Sequence, residues 1–259
     1  AEAARFRDDL PDEERLRLSL NLQRAYAGLE AAQRRSTTVA AEAHINLGLY
    51  AYMQEQYERA AEHFEEAARQ APRLRELQYL VGTALGRAGE QHVLRAQDGV
   101  VAPMAVGRQL LRRAVPYLEQ AAESREVMGD ASFNLGRCLY VLEDFERALA
   151  AFRKALALER SEEMYMLAAL AAARQGQELS VMARGHLLMP DARRDQLRER
   201  AAELLNTAVH YFSQALLRND SDPVLHGNLG LAYMLRNDEH DVESALRHWE
   251  RMRALGGGA

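Results

Sequence analysis

The sequence predicts an all-α fold made of repeated helical hairpins, and three observations support this prediction. The first is repetition, because the pair Leu47-Gly48 returns downstream as Leu135-Gly136. The second is composition, since only 6 prolines occur in 259 residues and Ala, Leu, Glu and Arg are abundant, which favours helix. The third is that acidic and basic residues are interleaved along helical faces, while a hydrophobic content of 48% is ample for a core.

The repeat also includes the second helix of each hairpin. Ala60 and Ala67 are small, and Phe64 between them is large and apolar. Small residues let two helices approach closely, and the large residue fills the space between neighbouring hairpins. The matching residues are Ala148, Phe152 and Ala155 in one segment and Ala245 and Trp249 in another. In that last segment, Leu229-Gly230 matches the pair Leu47-Gly48. This spacing resembles the tetratricopeptide repeat, a helix-turn-helix unit of about 34 residues.

The resemblance implies a right-handed superhelix of about five hairpins. A repeat array grows by stacking, so a chain of 259 residues need not divide into two domains. The predicted hairpins lie at about 41–72, 75–126, 129–160, 161–220 and 223–255, within a solenoid of residues 41–259. Residues 1–40 are predicted to form an N-terminal capping helix, from Pro11 to Arg35. Pro11 in the first turn and the acidic residues after it suit a helix start.

The first, third and fifth hairpins are short. In the first, we predict helices near Ala41–Gln54 and Tyr57–Gln70, and Phe145 of the third hairpin corresponds to Tyr57. The fifth carries three extra residues in its turn, the acidic segment Asn237–Asp241. Because this segment combines His240 with nearby aspartates, it is the nearest approach to a metal-ligand cluster, but we interpret it as a solvated turn.

The second and fourth hairpins are predicted to be elongated by insertions. In the second hairpin, the helix B residues Ala114 and Leu118 follow Val81-Gly82 at a greater distance along the chain than in a repeat of ordinary length. In the fourth hairpin this distance is greater still. Both insertions are helical in composition. Their tips are predicted near Asp98–Pro103 and near Leu188–Arg193, where Gly, Pro and Asp interrupt the apolar period. Pro116 is expected to bend or restart the second helix of the second hairpin.

The resemblance also implies a set of partner-binding residues. In this family, particular residues of the first helix of each repeat, helix A, usually line an inner, concave groove. The residues of this sequence that match those positions, or lie one turn further on, are Ile45, Asn46, Leu49, Tyr52, Tyr79, Thr83, Phe133, Asn134, Arg137, Tyr140, Tyr165, Met166, Asn228 and Leu231. Such a groove is apolar and aromatic, and it suits an amphipathic helix or an extended peptide.

Two details of this groove leave alternatives open. Its three asparagines could form a ladder that holds a peptide backbone, because an amide offers a donor and an acceptor. They could equally bond within their own repeats. Relatives that bind a terminal carboxylate use several basic groove residues, and only Arg137 fits that pattern here, which argues against such a clamp. The groove could also be filled by a helix of the protein itself.

Several functional classes find no support in the sequence. The 8 histidines form no ligand pattern, so we expect no metal and no cofactor. No Gly-rich phosphate loop and no Ser-His-Asp grouping occurs, so we expect no catalytic residue and no enzyme. A net charge of -5 without a basic stripe argues against nucleic acid. The longest apolar runs are too short to span a bilayer. Cys138, the single cysteine, is interpreted as a small core residue.

The leading functional prediction is a non-catalytic scaffold or adaptor that binds a protein or peptide partner of unknown identity in its concave groove. Two alternatives stay open: a lipoprotein-like subunit of a cell-envelope secretion or motility assembly, and a regulatory fragment of a larger enzyme. The strong preference for arginine over lysine suggests a bacterial source. The cytoplasm is favoured, unless an upstream signal was removed, in which case the periplasm or outer membrane is expected. Leu246, Trp249 and Met252 in the last helix raise the prospect of self-association.

Overall fold

The computed structural model describes residues 37–72, 74–96, 101–185 and 189–256. These residues form ten α-helices and contain no strand, in agreement with the predicted all-α fold. The helices are α1 (Thr37–Met53), α2 (Tyr57–Gln70), α3 (Glu76–Ala96), α4 (Val101–Ala121), α5 (Met128–Val141), α6 (Phe145–Leu156), α7 (Glu162–Gly185), α8 (Asp191–Leu216), α9 (Pro223–Arg236) and α10 (Asp241–Gly256). The predicted capping helix lies outside the described residues.

The chain divides into two compact units, Ala1–Leu142 and Glu143–Ala259. The division falls inside the third predicted hairpin, so α5 belongs to the first unit and α6 to the second. Both units are made of helical hairpins of the kind that the sequence predicts. The assignment of residues 41–259 to a single solenoid domain stays a prediction.

In the first unit, α1 packs against α2 and α3 against α4, while α2 contacts α3 and α4 contacts α5. Each second helix of a hairpin, helix B, is therefore covered by the next helix A. A continuous apolar core results, and its largest fully buried side chains include Phe64, Val81, Leu85, Leu111 and Leu118. Cys138 belongs to this core, which confirms its interpretation, and burial raises the pKa of its thiol.

The second unit repeats this pattern. Helix α7 packs against α8 and α9 against α10, while α6 contacts α7 and α8 contacts α9. Phe152 and Phe212 are fully buried, and alanines such as Ala168 and Ala208 lie between the helices without measurable exposure. The small residues of the repeat therefore lie where helices touch.

The predicted elongated hairpins are present as long helices. Helices α3 and α4 have 21 residues each, and α7 and α8 have 24 and 26, whereas α2 and α5 have 14. Helix α4 continues through Pro116, so the expected restart does not occur. Pro116 is exposed, so its ring points away from the core. Residues 98–100 of the first predicted tip and residue 188 of the second lie outside the described residues, and α8 begins directly after Pro190.

The two arms of the second hairpin approach each other closely near their ends. A Cβ atom on Gly89 would lie 2.9 Å from the carbonyl oxygen of Gly107, and one on Gly107 would lie 2.7 Å from the carbonyl oxygen of Gly89. Gly89 is followed in α3 by only seven further residues before Ala96 ends the helix. The inserted part of this hairpin is therefore tightly packed helix.

Close approach at glycine also defines the base of three hairpins. A Cβ atom on Gly48 would meet the ring of Phe64 at 2.5 Å, and one on Gly82 would meet the side chain of Leu118 at 2.6 Å. At Gly230 the same position is filled by the indole of Trp249. Gly48, Gly82 and Gly230 are therefore packing glycines.

The turns between short helices share one backbone feature. Glu55, Glu143 and His240 have φ values of 56°, 66° and 68°, in the left-handed region. Glu55 and Glu143 lie two residues before the first residue of a helix B, and His240 lies directly before one. The fifth hairpin has a second left-handed residue, Asn237, which ends α9. Its three extra residues are therefore accommodated by an additional reversal of the chain.

We expect Gly48→Ala to lower the free energy of unfolding by about 1–3 kcal/mol, because the new methyl group would overlap the buried ring of Phe64. Gly185→Ala is the matched control, since a Cβ there meets nothing within 4 Å and alanine favours helix. Urea unfolding monitored by circular dichroism compares the two. Equal stability of both variants would contradict the assigned role of Gly48.

Candidate partner-binding groove

The predicted groove residues of the first unit lie on its three A helices, α1, α3 and α5. Asn46 on α1 is exposed, and the other predicted residues of this unit are half-buried. Leu49, Tyr52 and Tyr79 pack against the core with one side. A half-buried aromatic side chain keeps apolar surface available while its position is held by packing. The half-buried predicted residues of α1, α3 and α5 are called the unit 1 groove below: Ile45, Leu49, Tyr52, Tyr79, Thr83, Phe133, Asn134, Arg137 and Tyr140.

One asparagine of the predicted ladder bonds within the protein. The Nδ2 atom of Asn134 donates to the Oγ1 atom of Thr83 on the neighbouring helix A at 3.1 Å. Both side chains also hydrogen-bond the hydroxyl of Tyr79. Burial, with a further contribution from the charge of Asp130, raises the pKa of Tyr79 to about 12. This group is therefore a neutral network that connects α3 to α5.

Arg137 is bound by a carboxylate of the protein itself. Its Nε atom donates to Glu90 Oε1 at 3.0 Å and its Nη2 atom donates to Glu90 Oε2 at 2.6 Å. The guanidinium also lies 5.9 Å from the centre of the Phe133 ring. A bidentate pair occupies the donors that a carboxylate ligand would need. This contact supports the sequence-based argument against a carboxylate clamp.

A second arginine and two tyrosines extend this group. The guanidinium of Arg87 lies 5.6 Å from the ring centre of Tyr57, and its Nη1 atom is 3.8 Å from Glu90 Oε2. The rings of Tyr52 and Tyr57 meet edge to face with centroids 5.0 Å apart. Burial raises the pKa of Tyr52. Glu90 therefore lies between two arginines, with aromatic rings beside them.

Sequence reasoning did not find Glu90, Arg87 or Tyr57 as groove residues. Glu90 lies in the inserted part of α3, which has no counterpart in a repeat of ordinary length. The signal that could have found it was the spacing of Glu90 from Arg87, because residues three apart share a helix face. The pairing with Arg137 required the packing of α3 against α5.

The predicted groove residues of the second unit differ in exposure from those of the first. Tyr165 is buried, and the guanidinium of Arg218, which follows the end of α8, covers its ring at 4.5 Å from the centre. Tyr165 is therefore covered by its own hairpin, and a partner could reach it only if Arg218 moved. Met166 and Asn228 are half-buried, and Leu231 is exposed. Only two of the three ladder asparagines, Asn46 and Asn134, belong to the same unit.

The acidic turn of the fifth hairpin was expected to be solvated, but part of it is buried. The side chain of Asp241 is only 2% exposed and accepts hydrogen bonds from Arg236 at 2.5 and 2.9 Å. It also accepts from the backbone amide of Asp238. The bond from Arg236 lowers the pKa of Asp241. A buried ion pair therefore fixes this turn, while His240 is exposed.

The described residues contain no group of three or more His, Cys, Asp or Glu side chains that could hold a metal ion. In the same part of the chain, no helix is long and apolar enough to cross a membrane. The polar side chains of the unit 1 groove are engaged mainly with each other.

Comparison with known proteins agrees with the repeat pattern. The tetratricopeptide repeat pattern matches residues 41–74 and residues 102–163. A search of curated proteins found no match. Two separate matches, together with ten helices in hairpins, define the class as a helical repeat protein. Both matches and the fold of the solved structures below support a tetratricopeptide repeat protein, the family that the sequence resembles.

Solved structures of the same fold cover most of the chain. YrrB, described as a tetratricopeptide repeat protein with an unusual peptide-binding site, has a TM-score of 0.61 at 16% identity, over 90% of this chain and 93% of its own. MamA of Desulfovibrio magneticus has a TM-score of 0.58 at 17% identity, over 84% and 95%. A nuclear import adaptor of S. pombe, Nro1, gives 0.54 at 13%, over 93% and 86%. At these identities, the likeness establishes the fold alone.

We expect Glu90→Gln and Arg137→Gln each to lower the free energy of unfolding by about 1–2 kcal/mol, because each breaks a largely buried, bidentate ion pair. Their side chains are only 16% and 24% exposed. The double variant should lose less than the sum of the single variants. Urea unfolding of all three gives the coupling energy.

The control pair for this cycle is Arg198 with Asp195, whose side chains are 61% and 69% exposed. Exposed pairs of this kind contribute little, so the same cycle should give no resolved coupling there. Additive losses at Glu90 and Arg137 would show that their ion pair does not hold α3 to α5.

Proposed function

We propose that this protein is a non-catalytic interaction scaffold that binds a peptide or a helix of a partner protein in the unit 1 groove. The observation that carries the proposal is the series of half-buried aromatic side chains on consecutive A helices, Tyr52, Tyr79, Phe133 and Tyr140. Fixed polar groups lie among them, including Asn134 and Arg137.

The energetics of recognition favour such a surface. Large aromatic side chains that are already held by packing lose little conformational freedom when a partner covers them. Aromatic residues and arginine are the residue types most often responsible for binding energy in interfaces. In the unit 1 groove, the aromatic rings provide apolar area, and the Glu90–Arg137 pair provides a polar boundary. This combination fits an amphipathic segment.

The chemistry of the groove supports a non-catalytic role. Burial raises the pKa values of Tyr52 and Tyr79, so both phenols stay protonated near neutral pH. Arg137 is paired with Glu90. Groups in these states bind and orient, but they offer neither a base nor a nucleophile. The family and the peptide-binding description of YrrB point in the same direction.

Peptides selected from a displayed random library against the full chain test this proposal. We expect Tyr140→Ala and Phe133→Glu each to weaken the selected peptides by at least about 1–2 kcal/mol, roughly five- to thirtyfold, because interface anchors are removed. Fluorescence anisotropy measures the affinities. Leu158→Ala is the matched control, since Leu158 is an exposed apolar residue of the other unit.

Thermal unfolding of the same variants separates binding from folding. Tyr140→Ala and Phe133→Glu should leave a cooperative transition, since both residues are half-buried. Severe destabilisation of both variants would place these residues in the core, and full retention of affinity would remove the unit 1 groove from the binding site.

A second contact surface lies on the last helix. Leu246 is 53% exposed, whereas Leu149, the corresponding residue of α6, is 3% exposed beneath the following helix. Met252 is exposed, whereas the corresponding Ala67 and Ala155 are fully buried. Beside Leu246 and Met252 an open pocket of about 670 Å³ is lined by Pro223, Trp249, Glu250, Arg253 and Gly256. No described helix follows α10 to cover this surface.

We propose that a second copy of the chain covers this surface on α10. Burial of Leu246 and Met252 would contribute roughly 1.5–3 kcal/mol for each side chain in each copy. A two-fold contact would bring the same surface of both copies together. Because both residues belong to positions that are buried elsewhere in the repeat, a helix is the natural covering element.

Sedimentation velocity over about a hundredfold concentration range tests this self-association, with association expected because two apolar faces are removed from water. Leu246→Glu and Met252→Glu should give a monomer at every concentration. Leu217→Glu, at the exposed leucine that directly follows α8, is the matched control and should behave as the unchanged protein. A strict monomer of the unchanged chain throughout the range would refute the proposal.

A further inference from the structure

Two histidine pairs occupy the same place in the first and fifth hairpins. The Nδ1 atoms of His44 and His63 are 3.2 Å apart, and those of His226 and His248 are 2.9 Å apart. His44 and His226 each lie three residues before the Leu-Gly pair of helix A, and His63 and His248 directly precede Phe64 and Trp249 of helix B. Each pair therefore joins the two helices of one hairpin.

The other three hairpins carry no histidine at these positions. The corresponding residues are Gln78 and Tyr117 in the second hairpin, Ser132 and Ala151 in the third, and Met164 and Tyr211 in the fourth. The repeat itself therefore does not require histidine here. Neutral side chains occupy these positions elsewhere in the same chain.

The geometry limits how many protons each pair can hold. When both rings are neutral, one Nδ1 atom donates and the other accepts. A single added proton can be shared, because an imidazolium can still donate to a neutral imidazole. A second proton makes both Nδ1 atoms donors, which then face each other at about 3 Å without an acceptor. A folded pair therefore holds at most one proton.

The second nitrogen of each buried ring adds to this limit. His226 Nε2 lies 2.9 Å from the carbonyl oxygen of Asp220, so it carries a hydrogen and donates. Neutral His226 then has an accepting Nδ1 atom. His44 Nε2 is buried and has no hydrogen-bond partner among the described residues, so a proton there would be unsatisfied. Neutral His44 therefore keeps its hydrogen on Nδ1.

The charges around the pairs do not remove the limit. Glu62 and Glu66 favour protonation of the first pair, while Arg59 and Arg69 oppose it. Burial nevertheless lowers the pKa values of His44 and His63. The second pair is faced by Arg247, and Tyr233 stacks on His248 with ring centroids 5.8 Å apart. Burial, His226 and Arg247 together lower the pKa of His248.

We propose that the two histidine pairs make the first and fifth hairpins less stable in mildly acidic solution, because a folded pair cannot accept a second proton. In the unfolded chain, all four rings titrate near their ordinary pKa of about 6.5 and can bind two protons for each pair. The folded chain binds at most one for each pair, so unfolding takes up protons below that pH. The contribution of the pairs to the free energy of unfolding is fully present above about pH 6.5 and is lost as the pH falls below it.

The size of the effect follows from this difference in bound protons. One proton taken up per pair makes the unfolding equilibrium constant rise about tenfold for each pH unit below about 6.5. The other histidines are common to the unchanged chain and to variants of the pairs, so a comparison between them isolates the contribution of the pairs.

The test is urea unfolding at about pH 7.5, 6.5 and 5.5 in the presence of EDTA, in the range where histidine titrates. His44→Gln with His63→Tyr transfers the neutral pair of the second hairpin to the first, and His226→Gln with His248→Tyr does the same in the fifth. For each pH unit below about 6.5, the unfolding equilibrium constant of each double variant should rise by about tenfold less than that of the unchanged chain. His240→Gln, at an exposed histidine, should keep the full dependence.

Nitrogen-15 spectra of the histidine rings in the unchanged protein give an independent readout if a double variant fails to fold. At about pH 5.5 no more than one ring of each pair should be protonated, because the two Nδ1 atoms cannot both donate to each other. Normal titration of all 8 histidines in the folded protein would overturn the proposal. An unchanged pH dependence in both double variants would do the same. Stability that falls on adding EDTA at neutral pH would identify the pairs as metal sites instead.

Discussion

The fold depends on one constraint, the close approach of two helices at a residue without a large side chain. Where Gly48 faces Phe64 and Gly230 faces Trp249, the aromatic ring of helix B occupies the space that a Cβ atom would need. Once this contact is set, the alanines of helix B are buried and the next helix A can cover them. The same contact fixes which positions of helix A stay half-buried, and these positions form the unit 1 groove.

Much of this arrangement could be predicted because it rests on short sequence spacings. The Leu-Gly pair and the Ala-Phe-Ala pattern indicated each hairpin, and the delayed pattern of the second hairpin indicated its long helices. Pro116 was expected to bend or restart the second helix of its hairpin, but it is exposed and α4 continues through it without a restart. The hydrogen bond that a proline removes does not end the helix here.

The groove was less predictable because its chemistry depends on contacts between helices that are distant in sequence. Arg137 was identified as a groove residue, yet its partner Glu90 lies 47 residues away in an insertion. Tyr165 follows the same family position as Tyr79, but Arg218 covers only the former. Asp241 appeared to belong to a solvated turn, and its burial with Arg236 depends on the path of the chain around Asn237.

The facing glycines near the end of the second hairpin, Gly89 and Gly107, have a mechanical consequence. Backbones that touch directly have no side chains between them to rearrange, so the two arms resist sliding and splaying. An insertion of this kind resists bending, whereas a loop of equal length would change its conformation when its end is displaced. A load applied to the far end of α3 would therefore be carried along the helix towards Glu90 and the network that joins α3 to α5.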